Sequence, residues 1–190
     1  KQGLSGASFL VGIPGSFGSA LAMNAGAFGG ETWPLIDEVE LMDRQGNRQW
    51  LPSSAITVSY RQVSIPAQHW FVAARLALPE TVDGHDEIMQ ELLERRRLSQ
   101  PITVPTCGSV FKNPHAGFAA QLIEQCGLKG QQIGNARVSG KHANFIENPG
   151  GATAAEIEML IKLMRERVEQ QHAIRLDLEV RIVGEAVKQA

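Results

Sequence analysis

Apolar positions along the 190-residue chain change their period part-way through. In the first part they come as short runs broken by turn residues. ASFLVG, residues 7 to 12, reads as a short buried strand. LIDEVELMD, 35 to 43, is a strand-like run leading into RQGN, and Arg48 to Leu51 resumes after it, so the pair predicts a hairpin. WFVAARLAL, 70 to 78, predicts another strand, stopped by Pro79. From Asp83 the period becomes helical. GHDEIMQELLERRR carries acids early and bases late, the order that suits a helix dipole. FAAQLIEQCG predicts a helix closed by Gly127 as a left-handed cap. In GGATAAEIEMLIKLMRERVEQQH, Thr153 and Glu156 form a T-x-x-E capping box. Ile157, Leu160, Ile161, Met164 and Val168 share one face, a core stripe. IRLDLEVRIV then alternates strictly. Ile174, Leu176, Leu178, Val180 and Ile182 fall on one side, and Arg175, Asp177, Glu179 and Arg181 on the other, which predicts a last strand. SQPITVPT, 99 to 106, holds two prolines and reads as an extended connector, dividing the chain into 1–98 and 99–190. The class is α+β, with helices laid on antiparallel strands.

Composition narrows the function classes. Hydrophobic residues make up 43% and charged residues 20%, as in ordinary globular domains. A net charge of −2 without a basic patch gives no reason to expect nucleic acid. Arg95-Arg96-Arg97 reads as a cationic last helical turn. With no apolar run of about 18 residues and no signal-peptide pattern, the expectation is a cytoplasmic protein without a membrane span. Cys107 and Cys126 form no CxxC pair and read as reduced thiols. The five histidines form no ligand pair, so no metal is expected.

Chemistry concentrates in a few segments. GIPGSFGSALAMNAGAFGGE, 12 to 31, is rich in glycine, yet its GxxGxxG spacing is neither the dinucleotide fingerprint nor Walker A. Two readings stay open. The backbone could approach a flat or anionic ligand, with Ser16 adding a hydroxyl, or the glycines could form tight turns that pack strands closely. CGSVFKNP, 107 to 114, gathers Ser109, Lys112 and Asn113. That set suits an anionic polar ligand, although spacing alone favours a Ser/Asn turn with a solvated lysine. No histidine base is paired with Ser109 in the sequence, which argues against serine-hydrolase chemistry. Tyr60-Arg61 and Glu179 complete the set, the default for Glu179 being a solvent-facing carboxylate. His142 and Asn144 in KHANF read as scaffold.

GIPGSFGSALAMNAGAFGGE, SYR, GSVFKNP, LIEQCGLKG, KHANFIEN and LEVRIVG occur in this order along nearly the whole chain. Together they resemble the UDP-N-acetylenolpyruvoylglucosamine reductases, also called UDP-N-acetylmuramate dehydrogenases, in their compact form. The resemblance implies the latter part of a vanillyl-alcohol-oxidase-type FAD-binding domain over 1–98 and a smaller α+β substrate-binding domain over 99–190. It implies FAD as cofactor, NADPH as reductant and a UDP-sugar enolpyruvyl ether as substrate, in peptidoglycan synthesis, by a monomer. Family members begin with roughly a hundred further residues that carry a pyrophosphate loop. Nothing here corresponds to that segment, and a full flavin site is expected to need it. A flavin-free UDP-sugar-binding fragment is the alternative. Ser19 stands where many relatives have glycine. By resemblance, Arg61 binds the substrate carboxylate and stabilises its enolate-like form. Ser109 donates the proton, and Glu179 polarises the reacting group, as a donor only if burial raises its pKa. Tyr60, Lys112 and Asn113 bind substrate. Gly12, Ile13, Pro14, Gly15, Ser16, Gly18, Asn24, Ala25 and Gly26 lie along the flavin.

Overall fold

A computed structural model describes residues 3–80 and 85–184. Asp83 and Gly84, at the predicted start of a helix, lie outside them. The chain divides into two compact units, 1–96 and 97–190.

The first unit opens with a 3-10 turn, Ser8–Leu10, and not the strand expected over 7–12. Leu10 and Val11 donate to the carbonyls of Ala7 and Ser8, so local bonds satisfy this backbone without a partner strand while Phe9 is buried. Next come helix α1, Phe17–Met23, then the short antiparallel strands β1, Gly26–Ala27, and β2, Gly30–Glu31. β3, Ile36–Met42, β4, Arg48–Pro52, β5, Thr57–Ser59, β6, Gln62–Ser64, and β7, Trp70–Leu76, follow. β4-β3-β7 form an antiparallel sheet, and β5 pairs with β6. The predicted hairpin is therefore present. Asp43 closes it, its carboxylate accepting from the backbone N–H groups of Gln45 and Asn47 and from the Asn47 amide. Alternation along β3 buries Ile36, Val39 and Leu41 with Leu21, Trp33 and Ile56. The unit ends within α2, His85–Ser99.

The predicted cationic last turn of α2 is different in kind. Arg96 is buried, its guanidinium 5.5 Å from the Phe28 ring, where Arg95 also stacks at 5.2 Å. A buried guanidinium over an aromatic face is held by the ring quadrupole and by packing of its stem.

In the second unit, β8, Thr106–Ser109, is followed by α3, Ala119–Gln125. β9, Gln132–Ile133, β10, Ala136–Val138, β11, Phe145–Glu147, and α4, Ala154–His172, complete it. The antiparallel sheet runs β8-β11-β10-β9. Gly127 takes the left-handed position after α3, φ +70. α4 starts on the full capping box of Thr153 and Glu156 and buries Leu160, Ile161, Met164 and Val168, with Ile157 partly buried beside them.

The last strand predicted over 174–183 does not form. Its inward residues still pack on the core, Leu176 fully and Ile174, Leu178 and Val180 in part, whereas Ile182 is exposed. The segment runs against Val110-Phe111 through one bridge, Phe111 with Leu178. The Val110 carbonyl accepts from both Glu179 and Val180. Two donors on one acceptor break the alternating ladder that a strand needs.

Candidate functional site

Each unit carries one cluster. In the first, the glycine-rich run is partly helical. Ser16 caps α1, its hydroxyl accepting from the Ser19 N–H at 3.2 Å. Asn24 ends α1 in the left-handed region, φ 45, a conformation that asparagine tolerates.

The two readings of the glycines divide by position. A Cβ on Gly26 would lie 2.3 Å from the Gly30 carbonyl oxygen, and one on Gly12 would lie 3.1 Å from both Leu93 and Arg96. These two are needed for packing within the chain. Gly15 and Gly18 meet nothing nearer than 3.8 Å, so their backbone stays open. Beside Gly15 lies a cavity of about 170 Å³, lined also by residues including Leu10, Ile13, Pro14, Ser16, Met23 and Ala25. Ligand pockets usually measure about 300–1,000 Å³. A cavity of this size and lining suits only part of a flavin dinucleotide, with Gly15 and Ser16 on its wall.

The Asn24 side chain is turned into the unit. It is 1% exposed. Its amide donates to the Glu31 carboxylate at 2.9 Å and to the Ser59 carbonyl at 3.3 Å, and it accepts from the Trp33 N–H at 3.1 Å. Asn24 is therefore a positioning residue, tying the end of α1 to β2 and to the β5–β6 hairpin.

Tyr60 and Arg61 form the two-residue turn of that hairpin, between paired Ser59 and Gln62. Arg61 has φ +53, a left-handed backbone that costs about 1–2 kcal/mol for an ordinary residue. Hydrogen bonds from its guanidinium offset this strain. Nη1 donates to the Asn24 carbonyl at 2.9 Å and Nη2 to the Gly26 carbonyl at 2.6 Å. Glu31 lies 3.9 Å away as counter-ion, and the exposed Tyr60 ring stacks at 4.9 Å. The turn thus brings Arg61 onto the glycine-rich run.

In the second unit, β8 ends at Ser109, which pairs with Phe145 of β11. Glu179 donates its backbone N–H to the Val110 carbonyl at 2.9 Å, so Ser109 and Glu179 belong to adjoining segments. Glu179 is half-buried. The Lys112 N–H donates to the Asp177 carbonyl at 2.9 Å, which lays the residues after Ser109 along 177–180. Asn113 is exposed, but its side-chain oxygen accepts from the Ala119 N–H at 3.1 Å, so it fixes the entry to α3. Asn144 does what a scaffold residue should. Its side chain accepts from the Phe111 N–H at 3.0 Å and donates to the Phe111 carbonyl at 2.8 Å. His142 packs edge-on against Phe145 at 4.8 Å. Burial holds its imidazole below the ordinary value.

One residue escaped the sequence reading. Glu147 is buried and paired with Arg137 at 2.5 Å. Burial pushes its pKa up, but hydrogen bonds from Ser139 and Arg137 outweigh this and hold it below the ordinary carboxylate range. Arg137 and Glu147 face each other across β10 and β11, a pairing that nothing in the local sequence marks. Among the described residues, no three His, Cys, Asp or Glu side chains cluster as a metal site, and no helix is long and apolar enough to cross a membrane. Both cysteines are free thiols.

Residues 100–183 match the family model for the C-terminal domain of UDP-N-acetylenolpyruvoylglucosamine reductase. Over 182 residues the chain is 54% identical to the enzyme of that name from Methylococcus capsulatus, covering 95% of this chain and 60% of the relative. The chain is similar to the UDP-N-acetylenolpyruvoylglucosamine reductases along nearly its whole length. The family protein of Alkalilimnicola ehrlichii is 52% identical over 187 residues, 98% of this chain and 63% of its own length. The crystal structure of UDP-N-acetylenolpyruvylglucosamine reductase from Thermus caldophilus superposes with a TM-score of 0.81 at 34% identity, covering 94% of this chain and 64% of that one. The chain thus spans about 60% of the length of the curated relatives it matches.

Proposed function

We propose that this chain carries the catalytic residues of an oxidoreductase that reduces the enolpyruvyl group of UDP-N-acetylenolpyruvoylglucosamine to UDP-N-acetylmuramate, for peptidoglycan synthesis. The observation that carries the reading is that the chain is 54% identical to a relative bearing the reductase name, while its motif segments form two built clusters. FAD, recharged by NADPH, would supply hydride to the terminal alkene carbon. The flavin-facing residues are Gly15, Ser16 and Gly18, with Gly12, Ile13, Pro14, Ala25 and Gly26 shaping the same run. The first unit would then be the latter part of a vanillyl-alcohol-oxidase-type domain, and the second the substrate domain.

The chain's own residues answer three demands of that reaction. Charge develops on the carbon that bears the carboxylate and spreads into it. Arg61, whose guanidinium two carbonyls hold in one orientation, binds the carboxylate and stabilises that charge, and its planar fork suits the group better than lysine. Ser109 gives its hydroxyl proton to the carbanion centre; such a carbon is basic enough to take it. Glu179 polarises the reacting group from the adjoining segment. Lys112 and Tyr60 bind the UDP-sugar. Asn113 positions the loop between Ser109 and α3.

The test is a spectrum and an assay. Protein loaded with FAD is expected to show flavin absorption bands and to consume NADPH when given the enolpyruvyl substrate. A protein that stays colourless with excess FAD, yet gains thermal stability with the UDP-sugar, is a flavin-free binding module. The small volume of the cavity at Gly15 and Ser16 is what favours that second reading. Neither bands nor a UDP-sugar response would overturn both.

A further inference from the structure

We propose that Glu31 is a positioning residue that sets how strongly Arg61 takes a carboxylate. The proposal rests on the substrate role given to Arg61 above. Glu31 and Arg61 are joined through Asn24 in two ways. The Asn24 carbonyl accepts from Arg61 Nη1 at 2.9 Å, and the Asn24 amide donates to Glu31 Oε2 at 2.9 Å. The β1–β2 ribbon adds a third tie, since Gly26 pairs with Glu31 and the Gly26 carbonyl accepts from Arg61 Nη2. The end of α1 and the ribbon after it therefore present two carbonyls and a carboxylate to one guanidinium. Gly26 must be glycine for the ribbon to close this tightly.

The separation of Glu31 Oε1 from Arg61 Nη1 is 3.9 Å. That is too long for a hydrogen bond and short enough for charge attraction. Glu31 thus lowers the pull of Arg61 on other anions without occupying its donors through a short bond. An arriving substrate carboxylate must outcompete a counter-ion that is built in. The same Glu31 anchors Asn24, and through it the direction of the guanidinium. Charge and placement act in opposite senses on anion binding, and two variants separate them. Glu31→Gln keeps an acceptor for the Asn24 amide and removes the charge. Glu31→Ala removes both.

The experiment titrates sodium acetate against each full chain and follows the Arg61 guanidinium resonance by NMR. Glu31→Gln is expected to reach half-saturation at roughly fivefold lower acetate than the wild type, the size a partly exposed charge pair carries. Glu31→Ala is expected to lose that gain, because the guanidinium is no longer aimed. Equal half-saturation in wild type and Glu31→Gln, or no acetate response in either, overturns the proposal. A gain in Glu31→Ala equal to that in Glu31→Gln overturns the positioning role. The role of Arg61 has its own control. If Arg61→Lys binds UDP-N-acetylenolpyruvoylglucosamine as tightly as the wild type, the substrate role fails, whatever acetate does.

Discussion

Replacing Asn144 with alanine should destabilise the second unit more than any single surface change. Asn144 is 3% exposed, and its side chain serves Phe111 as a strand would, accepting from its N–H and donating to its carbonyl. Phe111 is itself buried at 1% exposure, so water cannot replace either bond. A buried backbone group left without its partner costs about 1–3 kcal/mol. Two such groups, partly relieved by local relaxation, give an expected loss of roughly 3 kcal/mol. For a unit of this size, that is a fall in Tm of about 12–24 °C. The assay is urea unfolding followed by circular dichroism, with hydrogen exchange at the Phe111 amide. The amide should lose its protection in the variant. Because Phe111 lies two residues beyond Ser109, turnover should fall as well, even well below the melting temperature. A stability change under about 0.5 kcal/mol, with the Phe111 amide still protected, would refute this reasoning.

Gly18→Ala and Gly26→Ala should separate the open glycines from the packed ones. Gly18→Ala adds a methyl that meets nothing closer than 3.8 Å and raises helix propensity, so stability should hold or rise by up to about 1 kcal/mol while FAD affinity falls in a binding titration. Gly26→Ala should unfold the first unit in thermal melts, because its Cβ would meet a carbonyl oxygen at 2.3 Å. Acid should weaken the second unit in two stages. Both His142 and Glu147 have folded pKa values below their ordinary ones, 6.5 and 4.5, so the unfolded chain binds more protons and stability falls as pH drops. The first loss begins below pH 6.5 and the second below pH 4.5; Glu147→Gln should abolish only the second in urea midpoints measured against pH. Thr153→Ala should remove the cap of α4, which accepts from Glu156 at 3.2 Å, at a cost of about 1 kcal/mol seen in the same urea assay.

The elements that local chemistry determines could be read from residues alone. The α4 capping box, the left-handed Gly127 and the hairpin closed by Asp43 each carry their cause within a few positions. The elements that depend on distant partners could not. In 174–183 the alternation is real and its inward face does pack, but the doubled donors on Val110 deny it a ladder. In 7–12 an apolar run became a 3-10 turn whose backbone bonds locally, Leu10 to Ala7 and Val11 to Ser8, while Phe9 is buried. Helix α1 was hidden by its shortness within a glycine-rich run, since Phe17–Met23 gives only two turns of apolar spacing, although Ser16 and Asn24 at its ends are ordinary cap residues. For the candidate site, the sequence offers residues and not their surroundings. Nothing in the spacing tells that Asn24 turns inward while Gly15 and Gly18 face open space. Nor does it tell that Arg96 leaves the solvated face of α2 to stack on Phe28, or that the hairpin turn carries Arg61 back to the glycine-rich run.

The proton-donor role of Ser109 is tested most directly by single-turnover absorbance of the FAD-loaded Ser109→Ala variant. The account predicts that the flavin bands bleach with NADPH at the wild-type rate and then fail to return when UDP-N-acetylenolpyruvoylglucosamine is added. Return of the bands at the wild-type rate would contradict it, as would loss of bleaching in a variant that still binds FAD.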